Sequence, residues 1–275
     1  MPYLVLKKLN KTDEKEQKLK PIAIVKSEKG ETDKLHNMFL YLDMDEKPNQ
    51  DKKTSVELPF HCKFEILPNT NPNKRDVFYL AGASGSGKSY LCKQIIDNYC
   101  LLYPKRKIFI VSKLEEDDTL DSIKSKNIIK LDHTDFVENP PNINDDIFYE
   151  SFVIFDDIDC IDDKAQDKAI NTFMNDIAVT GRKHKHGQGC ISLAFISHYL
   201  SNYKKTRLIL NEATHYCLYP QSTATNQLYY LLNKYLGMTR DEIRHLKKLG
   251  RWVCIFKNYP QFLISQYTAK ILNTD

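Results

Sequence analysis

No apolar run in this chain of 275 residues reaches ten residues, while a helix needs about 20 to cross a bilayer, so no membrane-spanning segment is expected. The opening MPYLVLKKLNKTDEKEQ has no basic start leading into an apolar core and a small-residue cleavage site. No secretory leader is expected. Cysteine occurs seven times, an odd number, and never in CxxC spacing. Cys62, Cys92, Cys100, Cys160, Cys190, Cys217 and Cys254 are therefore expected to be reduced thiols in a cytosol-like compartment, with metal ligation the alternative. There is no internal repeat and no low-complexity tract. Glycine is scarce, 9 in all, and three of them stand within eight residues, at positions 82, 85 and 87.

Acidic residues are missing between Asp176 and Glu212. Residues 177–275 hold 14 Lys and Arg against 4 Asp and Glu, while residues 1–176 hold 26 against 32, so the overall charge of +4 conceals a basic final third. A bias of this size suggests a polyanionic partner. The candidate phosphate contacts are Lys183, Lys185, Lys204, Lys205, Arg207, Lys247, Lys248 and Arg251. A hydrophobic content of 41% is enough to fill one sizeable core.

Two parts are expected. Residues 1–75 alternate short β-like runs (Tyr3–Leu6, Ile22–Val25, Met38–Leu42, Cys62–Leu67) with polar stretches and read as a small β-rich segment. From residue 76 to 275 the pattern changes. VFYLAG (77–82), KIFIVS (107–112), SFVIFDD (151–157) and CISLAFISH (190–198) are continuous apolar runs, the mark of strands buried on both faces. Helical spacing links them: Leu91, Ile95, Ile96 and Tyr99 in one stretch, Ala169, Ile170, Phe173, Met174 and Ile177 in another. THYCLYP, a helical stretch to Gly237 and WVCIFKNYPQFLISQY follow. Alternating strands and helices predict an α/β fold with a parallel sheet. The Asp-, Asn- and Pro-rich segment 115–150 reads as a surface excursion.

Residues Gly82-Ala83-Ser84-Gly85-Ser86-Gly87-Lys88-Ser89 match GxxxxGKS/T directly between an apolar strand and a helix, the setting in which that pattern holds a nucleoside triphosphate. The glycines let successive N–H groups face one side as an anion nest, and the helix N-terminus adds its dipole. Lys88 is placed to reach the β- and γ-phosphates and the Ser89 hydroxyl to ligate Mg²⁺. Tyr90 follows as the last residue of the cofactor-binding set.

The strand 151–157 ends in Asp156-Asp157. Asp156 is the candidate metal-side carboxylate; Asp157 is the candidate to orient and deprotonate water. Asp159, Asp162 and Asp163 read as caps of the next helix. After the strand 190–198, Ser197 or His198 fits a sensor of the γ-phosphate. Arg182, in Gly181-Arg182-Lys183-His184-Lys185-His186, has two readings: a guanidinium inserted into a neighbouring subunit's site, or a DNA-phosphate contact.

The P-loop, VIFDD, GRKHKHGQGCISLAFISHYLSN, RLILNEATHYCLYP and RWVCIFKNYP, in that order, resemble the genome-packaging ATPases of nucleocytoplasmic large DNA viruses, within the FtsK–HerA superfamily of P-loop ATPases. The resemblance covers roughly residues 75–265. It implies an ASCE/RecA-like core, a homo-oligomeric ring (pentamer or hexamer), and ATP- and Mg²⁺-dependent pumping of double-stranded DNA through capsid or portal proteins. It further implies a place in the host cytoplasm, at the viral factory, or in the virion. Lys88 and Ser89 would bind phosphate and metal, Asp156 metal, Asp157 water. The wider superfamily usually carries Glu where Asp157 stands and Gln where His198 stands.

Three other readings stay open at this point: a nucleoside or nucleotide kinase, a cellular HerA-like translocase, and a non-catalytic virion protein with a relict fold. The paired carboxylates and the lack of an Arg-rich lid segment speak against the kinase. Intact Lys88, Ser89 and Asp156 speak against the relict. A GTPase is disfavoured because Asn233-Lys234 leads into Tyr235-Leu236, not into a base-reading NKxD sequence.

Overall fold

The computed structural model describes residues 2–8, 19–44, 53–182, 190–200 and 203–272, the side chains of 203–205 excepted. Its first strands form a small antiparallel sheet. β1 (Tyr3–Lys8), β2 (Leu19–Ser27), β3 (Met38–Asp43) and β5 (Cys62–Ile66) lie in the order β1-β3-β2-β5, while β4 (Ser55–Glu57) pairs elsewhere. In β5 the period of two is plain: Cys62, Phe64 and Ile66 are buried and the residues between are half-exposed.

The large sheet is built from β6 (Val77–Ala81), β7 (Ile108–Ser112), β8 (Ile128–Leu131), β9 (Phe152–Asp156), β10 (Ser192–Ser197) and β11 (His215–Leu218), all parallel in the order β11-β6-β10-β9-β7-β8. Beyond β11 it continues antiparallel through β12 (Val253–Phe256), β13 (Phe262–Ser265) and β14 (Thr268–Ile271) to β4. The connecting helices are α1 (Lys88–Leu102), α2 (Lys164–Thr180), α3 (Tyr203–Glu212), α4 (Thr225–Leu236) and α5 (Arg240–Leu246). This is the expected mostly parallel sheet flanked by helices. β10 lies between the strand that enters the P-loop and the strand that ends in Asp156, as an ASCE-type core requires.

β6 shows why its sequence is a continuous apolar run. Val77, Tyr79 and Ala81 face a core shared with Ile170, Phe173 and Met174 of α2 and Leu228, Leu231 and Leu232 of α4. Phe78 and Leu80 face a second core with Leu91, Ile95 and Ile96 of α1 and with Leu4, Val25 and Phe64 of the small sheet. Burying each such large side chain contributes about 1.5–3 kcal/mol. With both faces covered, only the strand ends can offer polar groups.

Two features were not legible beforehand. The segment 115–150 contributes the edge strand β8 and sends Phe136, Ile143 and Phe148 into the first core. Its apolar residues are isolated among charges, so no run betrays them. The antiparallel half of the sheet was likewise hidden, because buried strands of either direction read alike. No helix among the described residues is long and apolar enough to cross a membrane.

Candidate active site

The loop from Gly82 to Gly87 leaves the C-terminal end of β6 and enters α1. A Cβ on Gly82 would stand 2.9 Å from both Ser86 Oγ and the Tyr219 ring, so only glycine fits there. Gly87, the N-cap of α1, has φ 102°, in the left-handed region that favours glycine. Ala83, Ser84, Gly85 and Tyr90 are exposed, Ser89 is half-buried, and Ser86 and Lys88 are buried. Lys88 Nζ donates to the carbonyls of Gly82 at 3.0 Å and Ala83 at 3.2 Å. Burial lowers its pKa, against the opposing pull of Asp157, Asp156 and Asp159.

Two residues from the far end of the chain hold this loop. Tyr219 Oη donates to the Gly87 carbonyl at 2.8 Å. Arg251 donates from Nε to the Ser86 carbonyl at 2.8 Å and from Nη2 to the Gly85 carbonyl at 3.1 Å. Three successive carbonyls are thus engaged on one side. In a trans peptide the N–H points opposite its C=O, so the amides of Gly87 and Lys88 point away from the groups that hold the carbonyls, while the Ser86 amide donates to the Ala83 carbonyl at 3.2 Å. The loop is therefore held in this form by side chains of the same chain. The sequence reads Arg251 as a candidate DNA-phosphate contact and assigns Tyr219, within THYCLYP, no role. The loop lies 132 residues from Tyr219 and 165 from Arg251, and no local signal links them.

At the neighbouring strand ends stand the acidic groups. Asp156 closes β9 and is only 2% exposed, and its Oδ2 has no hydrogen-bond partner. Burial, with Asp157 and Asp117 nearby, pushes its pKa up to about 7, although Lys88 pulls the other way. A buried carboxylate oxygen without a partner fits a hard divalent cation such as Mg²⁺, which takes oxygen donors. Asp156 and Ser89 are the residues that would hold it.

Asp157 is a non-glycine residue at φ 52°. Left-handed backbone of this kind costs on the order of 1–3 kcal/mol and persists where its surroundings enforce it. Its Oδ1 lies 2.6 Å from His198 Nε2. The strand end carrying His198 is fixed by Asp159, whose Oδ2 accepts from Ser197 Oγ at 2.8 Å and from the His198 amide at 3.0 Å. Asp159 thus ties β10 to the Asp156-Asp157 turn and does not cap a helix. Asp163 takes that role, accepting from the amides of Ala165 and Gln166. The carboxylate–imidazole pair of Asp157 and His198 can orient a water and receive a proton.

Arg182 is not part of this constellation. α2 carries the chain back across the sheet, so Arg182 lies at the opposite edge, where Gly181 accepts from the Ile191 amide. β6 alone, five residues at about 3.3 Å each, separates it from its own P-loop by roughly 15 Å. Arg182 is largely exposed and its Nη2 is 3.1 Å from Glu212. Arg75 also approaches Glu212, at 3.6 Å, while donating to the carbonyls of Ile177 and Ala178. Of the other cations read from sequence, Lys183 and Lys185 and the side chains of Lys204 and Lys205 lie outside the described residues. Lys247 donates to Thr225 Oγ1 at 2.8 Å, and Lys248 is exposed.

Over 211 residues the chain is 35% identical to the uncharacterized protein V3 of Sputnik virophage, a match spanning 76% of this chain and 82% of that one. The chain belongs to the family of that virophage protein. No protein-family model matches it. Among solved structures it is similar to the genome packaging NTPase B204 from Sulfolobus turreted icosahedral virus 2 in complex with ATP-gammaS. There the identity is 17% and the TM-score 0.44, covering 74% of this chain and 100% of that one. It is also similar to the pCW3 conjugation coupling protein TcpA, at 14% identity and TM-score 0.47 over 86% of this chain and 75% of that one. The cytoplasmic domain of the Thermomonospora curvata type VII secretion ATPase EccC matches at 14% identity and TM-score 0.46, over 94% of this chain and 29% of that one. At these identities and scores the structural likenesses carry no argument about activity or partners.

The raised Asp156 pKa has a testable sign. A carboxyl held up to about 7 in the fold is easier to protonate there than in the unfolded chain. Its ionisation therefore erodes stability as pH rises from about 4 to 7. In metal-free buffer Asp156→Asn should raise the thermal midpoint by several degrees at pH 8, with the gain shrinking toward zero near pH 4. A gain independent of pH would refute the charge argument. Arg251→Ala should raise the KM or Kd for ATP about tenfold, since its charge-assisted bonds shape the nest, while kcat and the midpoint of the ligand-free protein change little. Equal ATP affinity in mutant and wild type would show that the loop holds its form unaided.

Proposed function

We propose that the chain is an ATP-hydrolysing motor that drives double-stranded DNA into a viral capsid. The observation that carries the ATPase reading is the shared sheet edge: the glycine-rich loop with Lys88 stands at the same end of the strands as Asp156, Asp157 and His198. In this reading Lys88 releases the loop carbonyls it now holds and moves to the β- and γ-phosphates. Asp157 orients the attacking water and takes its proton, and His198 fixes the carboxylate and is the candidate γ-phosphate sensor. Mg²⁺, when bound through Asp156 and Ser89, neutralises phosphate charge. A poised carboxylate for water favours a hydrolase over a kinase, whose phosphoryl acceptor is a substrate hydroxyl.

The DNA half of the reading rests on the basic final third of the chain and on kinship with a viral protein. A homo-oligomeric ring, capsid or portal contacts and a place at the viral factory or in the virion belong to the same proposal. Arg182, exposed and far from its own P-loop, suits an action on a neighbouring copy's ATP or on DNA. Mixing separates these. Inactive Arg182→Ala and Lys88→Ala subunits should restore turnover in mixed rings if Arg182 works in trans, and should not if it binds DNA.

Phosphate release measured with and without duplex DNA tests the whole reading. Turnover should rise with DNA and should fall about 10²–10³-fold in Lys88→Ala. Transfer of label to a nucleoside would instead establish a kinase. DNA binding should ignore sequence and weaken steeply between about 50 and 200 mM salt as counterions are released; a flat response would end the motor reading. Asp157→Asn should keep ATP binding while hydrolysis falls about 10²–10⁴-fold, the range expected when a general base is lost. His198→Gln, which keeps a donor, should retain more activity than His198→Ala. Loss of ATP binding in Asp157→Asn would mean that Asp157 serves the nucleotide and not the water.

A further inference from the structure

Far from the P-loop, three side chains of different chemistry converge on one point of the small sheet. Antiparallel pairing of β2 with β5 sets Ser27, the last residue of β2, opposite Cys62, the first of β5. The chain beyond β2 makes a 3₁₀ turn (Gly30–Thr32) that brings Asp33 back over this pair. Asp33 Oδ2 then lies 2.9 Å from His61 Nε2 and 3.3 Å from Cys62 Sγ. One ligand atom from each of the three lies within 4.8 Å of the other two.

We propose that Asp33, His61 and Cys62 bind a divalent ion of the zinc class. Thiolate, imidazole and carboxylate together suit a borderline-soft ion such as Zn²⁺, and a cation such as Mg²⁺ would not choose a sulfur donor. Zinc bonds of about 2.0–2.3 Å in a tetrahedron put ligand atoms about 3.3–3.6 Å apart. The two separations here are within a few tenths of an ångström of that spacing, and the third, between His61 and Cys62, is under 4.8 Å. The carboxylate is also already oriented from behind: Oδ2 accepts from Ser27 Oγ at 2.6 Å and Oδ1 from the Leu35 amide at 2.9 Å. Hydrogen bonds of this kind aim a first-shell ligand.

Cys62 is fully buried, while the His61 side chain is 34% exposed and leaves the point open to solvent on its side. An ion enters from there, and a water completes the fourth position. Binding exchanges the Cys62 S–H bond for a metal–sulfur bond and sends one proton to solvent; His61 binds as the neutral imidazole and Asp33 as the carboxylate. The ion would tie the turn after β2 to the start of β5. Without an ion the three groups satisfy one another as a hydrogen-bonded network, which is the competing account.

Cobalt distinguishes the two. The full chain, stripped with a chelator, is titrated with Co²⁺, whose bond to a thiolate gives a near-ultraviolet charge-transfer band. Any Co²⁺ taken up at the P-loop edge through oxygen donors gives no such band. The band should saturate at one equivalent, disappear when Zn²⁺ is added, persist in Cys160→Ser and be lost in Cys62→Ser. His61→Gln, a change at a partly exposed position that leaves the buried thiol in place, should weaken Co²⁺ binding about tenfold or more. It decides the matter should Cys62→Ser fail to fold. No thiolate band in the wild type, a band that survives Cys62→Ser, or equal affinity in His61→Gln would overturn the site.

Discussion

The candidate active site hangs from one constraint: β6 is buried on both faces, so its polar chemistry is confined to its ends. At the C-terminal end the chain turns through the P-loop. β10 and β9 end at the same edge: backbone pairing sets Ser197 and Asp156 level with the end of β6, and Asp159 fixes the Ser197-His198 turn beside Asp157. The cores on either face fix the spacing of the strands, and side-chain ties from Asp159, Arg251 and Tyr219 fix the turns that follow them.

Within that edge the groups are held against their own preferences. Asp156 is buried with an unpartnered oxygen, Asp157 sits in left-handed backbone, and Lys88 is folded onto loop carbonyls with its charge partly desolvated. Each arrangement costs free energy in the ligand-free protein; under the proposed function a triphosphate would give the lysine an anion and a cation would give Asp156 a counter-charge. Strain and desolvation of this kind collect at functional sites because the rest of the fold can sustain them. Arg251 and Tyr219 act in the other direction, fixing the loop's carbonyls so that less order must be gained on binding.

The small sheet stands against the second core, through side chains such as Leu4, Val25 and Phe64. β4 leaves it to complete the edge of the large sheet beside β14. The first part of the chain is thus joined to the large sheet by packing and by strand pairing. A metal-tied turn between β2 and β5 would stiffen this flank without touching the nucleotide.

Much of this was written in the sequence. The P-loop, the apolar runs of β6, β7, β9 and β10, the helical faces of α1 and α2 and the Asp156-Asp157 pair are all local signals, because burial on both faces and phosphate binding each demand particular residue types at short range. What the sequence could not carry depends on distance along the chain. Arg251 and Tyr219 reach the loop from more than a hundred residues away, Asp159 turned from helix cap to strand tie, and Arg182 went to the far edge because α2 recrosses the sheet. The sequence alone determined which chemistry the chain holds and which strands would be buried. Only the tertiary structure decided which of those groups share an edge, since strand order is settled by packing between segments and leaves no mark on any one of them.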